Sequence, residues 1–174
     1  TLDLIIGTPS HKREFIDWCL FHVEHKYHQL WTDYNHALKQ RNALLKQKKN
    51  ITQLDYWDQH LIILNNSIYK HRVEFHKNIK NILLENFADS IKALDIDIIY
   101  KPGWGIDESF NDVLLGNRNQ DLKYGFTRYG IHRDDIELTT CGIPVQQSLS
   151  RGQIKTLSMI LVLAQIIYIN EYYF

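Results

Sequence analysis

The chain contains 174 residues, of which 44% are hydrophobic and 23% are charged, a globular composition that argues against disorder and is sufficient for one folded core. Twenty Lys and Arg residues balance twenty Asp and Glu residues, so the net charge alone indicates neither a nucleic-acid partner nor its absence. The charges are segregated, however: residues 36–80 carry nine basic and three acidic side chains, and residues 81–149 carry six and eleven.

The first two predicted elements are a short strand and a helix. Residues 2–6 are apolar and precede a Gly-Thr-Pro turn, a pattern that favours a strand. Ser10 is a residue type that caps helices, so a helix with a buried apolar face is expected over residues 11–21.

Two long helices are predicted to form an antiparallel hairpin. Apolar residues recur at three- and four-residue steps over residues 24–47, and a heptad-like seam runs through residues 53–87. The polar turn at residues 48–50 is short, so the two helices must lie side by side. Arg41 interrupts the first apolar face. A hairpin that serves only as a spacer is an alternative interpretation of this segment.

The second half of the chain is predicted to mix short strands and short helices. Residues 95–100 alternate acidic and apolar side chains, which is typical of a strand with one solvated face. The expected elements after it are a helix at 107–115, a polar loop at 116–121, two strands within 123–140 on either side of Gly130, and a returning strand at 143–145.

The most informative stretch is Leu-Ser-Arg-Gly-Gln at residues 149–153, which precedes a helix predicted to span roughly residues 154–168. Ser150 is an N-cap residue type, and Gly152 allows another molecule to approach the backbone closely. The first turn of such a helix presents free N–H groups and the positive end of the helix dipole. This arrangement favours binding of an anion, above all a phosphate, although an ordinary capped helix has the same pattern.

The sequence of this stretch resembles the signature motif of the ABC-type ATPases. Its surroundings, SLSRGQIKTLSMILVLAQ, are similar to the RecF family of recombination and repair proteins. Further segments resemble the same family in the same order: KREFIDWCLFHVEHKY, ALKQRNALLKQ, WDQHLI, YKPGW and YGIHRDD.

The resemblance implies an α+β fold, namely a partial ABC-type ATPase head interrupted by a helical-hairpin arm. Residues 1–22 would be part of the head, residues 23–122 the helical arm with small strand elements, and residues 123–174 the return to the head with the signature motif and its helix.

The resemblance also implies a role for the signature motif in ATP binding. In ABC-type ATPases, ATP lies between two protomers, and one protomer presents this motif to the γ-phosphate of ATP on the other. Ser150, Arg151, Gly152 and Gln153 would therefore contact the nucleotide in trans, within an ATP-dependent homodimer. ATP and Mg²⁺ would be the cofactors of the full-length protein.

The chain contains neither a GxxxxGK[ST] motif nor an apolar strand ending in acidic residues after Tyr168. We therefore expect an internal fragment that holds no catalytic residue, binds no cofactor alone and is inactive alone, whereas the full-length protein would be a weak DNA-dependent ATPase.

The family resemblance further implies DNA, single-stranded or gapped, as a partner, together with the proteins RecR and RecO. The role would be to help load recombinase during DNA repair, replication and the SOS response, in the cytoplasm. The basic cluster near the hairpin tip is the candidate DNA-binding surface: Lys39, Arg41, Lys46, Lys48 and Lys49. A solvated helix face is the alternative. Another chromosome-maintenance ATPase head, or a non-enzymatic helical scaffold, are the alternative functions.

Other sites are not predicted. The histidines at 22, 25 and 28 do not align on one helix face, and no paired cysteines are present, so we expect no metal site. Residues 130–135 favour a buried, salt-bridged strand end over a catalytic role. Cys19 and Cys141 fit reduced thiols. No basic signal-peptide region opens the chain, and the apolar run at 159–169 is too short to span a bilayer.

Overall fold

A computed structural model describes residues 3–48 and 51–173, and within them the fold is helix-rich with one small antiparallel sheet. The elements follow in the order α1 Asp3–Ile6, α2 Pro9–Val23, α3 Tyr27–Gln47, α4 Ile51–Asn86, α5 Ala88–Ala93, β1 Ile96–Lys101, α6 Phe110–Gly116, α7 Arg118–Tyr124, β2 Asp135–Thr140, β3 Ile143–Pro144, α8 Val145–Ser148 and α9 Arg151–Tyr172.

The chain divides into two compact units. Unit 1 comprises residues 1–25, 72–101 and 135–174, and unit 2 comprises residues 26–71 and 102–134. The predicted division into head and arm, with boundaries after residues 22 and 122, remains a prediction, because compactness alone does not identify either unit as head or arm.

Unit 1 is built on the sheet, in the order β1-β2-β3. Strands β1 and β2 pair antiparallel from Ile96 opposite Thr140 to Lys101 opposite Asp135. Helices α2 and α9 supply buried side chains such as Ile16 and Leu161, and the core also includes Phe75 from the second half of α4. A buried ion pair, Arg72 Nη2 to Asp17 Oδ1 at 2.5 Å, lies where the apolar seam of α4 is interrupted.

Unit 2 contains the predicted antiparallel hairpin. The ring of Tyr27 near the start of α3 contacts His71, and Arg41 near its end contacts Asp58 close to the start of α4. This pairing of early with late residues requires antiparallel helices. Along α4 the predicted seam is buried, at Leu54, Leu61 and Ile68 within this unit.

Two predictions at the start of the chain were wrong. Residues 3–6 form the helix α1 and not a strand; Leu4 and Ile5 are both buried although they are adjacent, so the run lacks the alternation of a half-exposed strand. Helix α2 begins at Pro9 after an N-cap at Thr8, so Ser10 lies inside the helix. Proline at the first helical position is favourable because its missing N–H has no intrahelical partner there.

Two predictions in the second half were also wrong. Residues 118–124, which include most of the predicted loop, form α7, and its buried Asp121 is bound by Arg41. Only one of the two strands expected within 123–140 is present, as β2, and a 3₁₀ turn at Ile131–Arg133 precedes it.

Helix α9 is longer than its apolar run. By length and composition alone, α9 could cross a membrane. The core helix of a globular domain meets the same criterion, and α9 contributes Leu157, Leu161, Ala164 and Tyr168 to the core of unit 1.

Gly103 of the YKPGW segment and Gly130 of the YGIHRDD segment lie against each other in unit 2. Gly130 N donates a hydrogen bond to the carbonyl oxygen of Gly103 at 3.3 Å. A Cβ added at Gly103 would overlap the carbonyl oxygen of Gly130 and would lie 2.7 Å from Arg133 Cβ. Gly130 itself has φ 134°, which favours glycine. The glycines of both segments are therefore required by their contact.

We predict that Gly103→Ala destabilises the protein by about 1–3 kcal/mol, because two backbone segments must move apart. The matched control is Gly116→Ala at the end of α6, where an added Cβ meets nothing within 4 Å. Alanine there should be neutral or should stabilise by up to about 1 kcal/mol. Urea unfolding measures both variants, and equal stabilities would contradict the proposed close contact.

Candidate functional site

The first turn of α9 is fixed by a reciprocal pair of hydrogen bonds. Gln153 N donates to Ser150 Oγ at 3.3 Å, and Ser150 N donates to Gln153 Oε1 at 2.8 Å. This capping box satisfies two backbone donors and sets the start of the helix at Arg151. The prediction that Ser150 is the N-cap is confirmed, although the helix begins three residues earlier than expected.

The same turn leaves other donors open. The backbone N–H groups of Arg151 and Gly152 make no hydrogen bond within the described part of the chain, and both residues are exposed. The hydroxyl of Ser150 accepts a bond from Gln153 but keeps its own hydrogen. The positive end of the α9 dipole adds to these donors. The turn can therefore bind an anion through several N–H and O–H groups at once.

Packing within the chain does not explain the glycine at position 152. A Cβ added there would have one neighbour, Ser150 Oγ at 3.9 Å, so alanine would fit. Glycine is a poor helix former and costs about 0.5–1 kcal/mol relative to alanine. Its presence in an exposed helical turn is therefore consistent with close approach by another molecule.

Unit 1 holds this turn in place from both sides. Downstream, Tyr168 of α9 packs edge-on against Phe75, with ring centroids 5.0 Å apart. Upstream, Gln146 of α8 donates a hydrogen bond from Nε2 to the carbonyl oxygen of Ile5 at 2.5 Å, and Val145 is fully buried. The orientation of the first turn of α9 is thus set by the core.

The predicted DNA-binding residues separate into three groups. Lys39, Lys46 and Lys48 are exposed on or next to α3, where their ammonium groups are accessible to a partner. Lys49 lies outside the described residues. Arg41 is a correction: its side chain is fully buried, so it is not accessible to a phosphate.

Arg41 is instead the centre of a buried ionic cluster in unit 2. Its Nε donates to Asp58 Oδ1 at 2.5 Å, and its Nη1 donates to Asp121 Oδ2 at 2.8 Å and to Thr127 Oγ1 at 2.7 Å. Burial raises the pKa of the Asp121 carboxyl, and the hydrogen bond from Arg41 opposes this rise. The cluster joins α3, α4 and α7, so Arg41 has a structural role.

In the segment at residues 130–135, both ring nitrogens of His132 are hydrogen-bonded within the chain. Its Nε2 lies 3.2 Å from the carbonyl oxygen of Thr127, which can only accept a hydrogen bond. Nδ1, 2.7 Å from Tyr34 Oη, then accepts from the tyrosine hydroxyl. Asp135 pairs with Lys12 Nζ at 3.2 Å at the start of β2. These contacts agree with the salt-bridged strand end favoured by the sequence.

The structure reveals a surface that the sequence prediction missed. It consists of two exposed aromatic rings surrounded by basic side chains, and we call it the aromatic–basic surface: Lys46, Lys123, Tyr124, Phe126, Arg128 and Arg133. The alternation of basic and aromatic residues over 123–133 is the sequence signal for this surface, but the same residues also fit the two predicted strands.

Within the described ranges, no three His, Cys, Asp or Glu side chains lie close enough together to hold a metal ion.

The α+β architecture, with a long helix that begins at this capped turn, is consistent with part of an ABC-type ATPase head. No protein-family model matches the chain. The DNA replication and repair protein RecF of Vibrio atlanticus is 36% identical over 94% of this chain, and that of Pseudoalteromonas translucida is 37% identical over 93%. The alignment covers 45% of each relative, so the chain spans about half the length of the curated relatives it matches.

Solved structures of RecF also match this chain. The structure of the recombination mediator protein RecF with ATP in the RecFOR pathway superposes with a TM-score of 0.88 and 25% identity, over 98% of this chain and 49% of that one. The structure with ATPγS matches equally well. The chain is therefore a relative of the RecF DNA replication and repair proteins across nearly its whole length, and the resemblance seen in the sequence is confirmed.

We predict that Arg41→Met destabilises the protein by about 3–5 kcal/mol, because it leaves the buried carboxylates of Asp58 and Asp121 without their central partner. The control Lys39→Met changes an exposed residue on the same helix and should cost no more than about 0.5 kcal/mol. Urea unfolding of both variants decides the question. A cost below about 1 kcal/mol for Arg41→Met would refute the structural role of the cluster.

Proposed function

We propose that the protein acts as a RecF-type ATP-dependent DNA-binding protein in recombinational DNA repair. Two findings support the proposal. The relatives are named as DNA replication and repair proteins, and the matching structures contain RecF with ATP or ATPγS. The observation that carries it is the first turn of α9, where the open N–H groups and the unexplained glycine occupy the signature motif.

In this proposal, the first turn of α9 contacts the nucleotide in trans through Ser150, Arg151, Gly152 and Gln153. The N–H groups of Arg151 and Gly152 and the Ser150 hydroxyl donate hydrogen bonds to the terminal phosphate, and the Arg151 guanidinium adds a positive charge. Gln153 holds Ser150 in place through the capping box. ATP, when bound with Mg²⁺ on the partner subunit, supplies the negative charge that these donors bind.

Such contacts form only in a dimer, so they convert nucleotide binding into dimer stability. The turn contacts nucleotide in the ATP-bound dimer and makes no such contact in the monomer. The free energy of these contacts therefore stabilises only the ATP-bound dimer. Hydrolysis, slow and stimulated by DNA, removes the terminal phosphate and resets the switch. In this proposal the full-length protein helps load recombinase at gaps in the cytoplasm during repair, replication and SOS induction.

DNA is held by basic side chains in the proposal, with Lys39, Lys46 and Lys48 as the described candidates and Lys49 as a further one. These side chains neutralise phosphates without reading sequence. RecR and RecO are the proposed protein partners, which rests on the pathway named for the matching structure.

The test is Gly152→Asp in the protein of natural length. An acidic residue in the first turn of α9 stabilises the helix through its dipole, by roughly 0.3–1 kcal/mol, but repels a phosphate. We expect an unchanged or higher melting temperature together with at least about tenfold weaker ATP-dependent dimerisation in sedimentation equilibrium, equivalent to about 1.4 kcal/mol.

The matched control is Asn170→Asp, which adds the same charge at the exposed opposite end of α9. This control should dimerise like the unmodified protein. Dimerisation of Gly152→Asp that equals the control, or a protein that stays monomeric with and without ATP, would remove the signature turn from the proposal.

A further inference from the structure

The aromatic–basic surface is held together by a turn at the end of α7. Lys123 and Tyr124 are the last residues of this helix, and Gly125 at its C-cap has φ 77° and reverses the chain. Lys46 from α3 lies against the same turn, since a Cβ added at Gly125 would be 3.4 Å from Lys46 Cγ. Residues distant in sequence are therefore assembled into one surface of unit 2.

Two aromatic rings on this surface are not used by the core. Tyr124 is 53% exposed and Phe126 is 39% exposed, and their centroids lie 6.2 Å apart. Arg128 is placed with its guanidinium carbon 5.5 Å from the Tyr124 centroid, and the corresponding distance from Arg133 to Phe126 is 5.8 Å. Each ring is thus partly exposed and has an arginine guanidinium over it.

The cations on this surface are available to a partner. Lys46, Lys123 and Arg133 are exposed, and none makes an ion pair with a described residue. The two carboxylates that flank the 122–133 segment, Asp121 and Asp134, are both buried, and Asp121 is bound to Arg41. A surface with free cations and without a competing exposed carboxylate in the 122–133 segment attracts a polyanion.

We propose that the aromatic–basic surface binds unpaired nucleotides. Bases stack on Tyr124 and Phe126, while backbone phosphates contact Lys46, Lys123 and Arg133. Every base has a π-face, so the contact tolerates any sequence, and the combination of stacking and basic groups is typical of single-strand binding. This inference rests on the proposed DNA-binding function and specifies its substrate as single-stranded, because a duplex hides the base faces within its stack.

The same features favour nucleic acid over an acidic protein segment. Aspartate and glutamate side chains would pair with the cations but offer nothing to stack on two exposed rings. A nucleotide supplies both a phosphate and a planar base within a single repeating unit, which matches the interleaving of cations and rings along residues 123–133.

The experiment measures fluorescence anisotropy of the protein of natural length with an oligothymidine of about 20 nucleotides and with a duplex of equal length. Tyr124→Ala and Phe126→Ala should each weaken oligothymidine binding at least about fivefold and change duplex binding less than about twofold. Tyr124→Phe keeps the ring and should bind like the unmodified protein.

Two further arms supply the controls. Tyr56→Ala removes a tyrosine of nearly equal exposure, 55%, from the start of α4 and should leave binding unchanged. The double change Lys46→Gln with Lys123→Gln should weaken both DNAs, and should lower the salt slope on oligothymidine by about 0.7 for each phosphate that no longer pairs with a cation. Photocross-linking with iododeoxyuridine in the oligonucleotide, read by mass spectrometry, should label Tyr124 or Phe126.

Each outcome of these experiments either supports or overturns the inference. Retained oligothymidine binding in both alanine variants, or cross-links confined to other residues, overturns the inference while DNA binding stands. Equal weakening on single strand and duplex by the alanine variants also overturns it. Unchanged DNA binding with abolished RecR binding would make the surface a protein interface and overturn it too. An unmodified protein that binds neither DNA would instead overturn the DNA-binding part of the proposed function.

Discussion

The reciprocal hydrogen bonds between Ser150 and Gln153 set the geometry on which the functional interpretation depends. They satisfy one donor each, at the N-cap and at the third helical position, and fix where α9 begins. Because those two donors are satisfied inside the chain, the N–H groups of Arg151 and Gly152 remain for an outside acceptor. A helix start with a different cap would expose a different set of donors, so the two side chains together determine what this end of unit 1 can bind.

Charge burial separates the structural cations of this chain from those available to a partner. Arg41 and Arg72 are fully buried and meet Asp58, Asp121 and Asp17, so their charges are balanced within the units. Lys46 and Lys123 are exposed, and their charges are free for a partner. A chain with a net charge of zero thus contains both internal ion pairs and a locally basic surface, and the net charge does not reveal either of them. Counting cations along the basic middle of the chain could not make this distinction.

Much of the fold follows from local patterns, and the parts that do not follow depend on distant contacts. The hairpin, β1 and the Ser150 cap could be predicted, because heptad spacing, alternation and cap chemistry act within a few residues. The α7 helix could not, because Asp121 is stabilised by Arg41, 80 positions away. The same holds for Lys46, which joins the aromatic–basic surface only through tertiary packing at Gly125. Arg41 was misassigned for this reason: burial is a property of the assembled unit.

In the proposed function, the turn at Ser150–Gln153 meets the terminal phosphate of a nucleotide bound on a second subunit. The most direct measurement uses ATP with a photoreactive group on its γ-phosphate, applied to the protein of natural length and followed by peptide mapping. We expect a label on the peptide containing Ser150–Gln153 at protein concentrations where the dimer forms, and none where the protein is monomeric. A label elsewhere, or one on this peptide that is equally strong in the monomer, would contradict it.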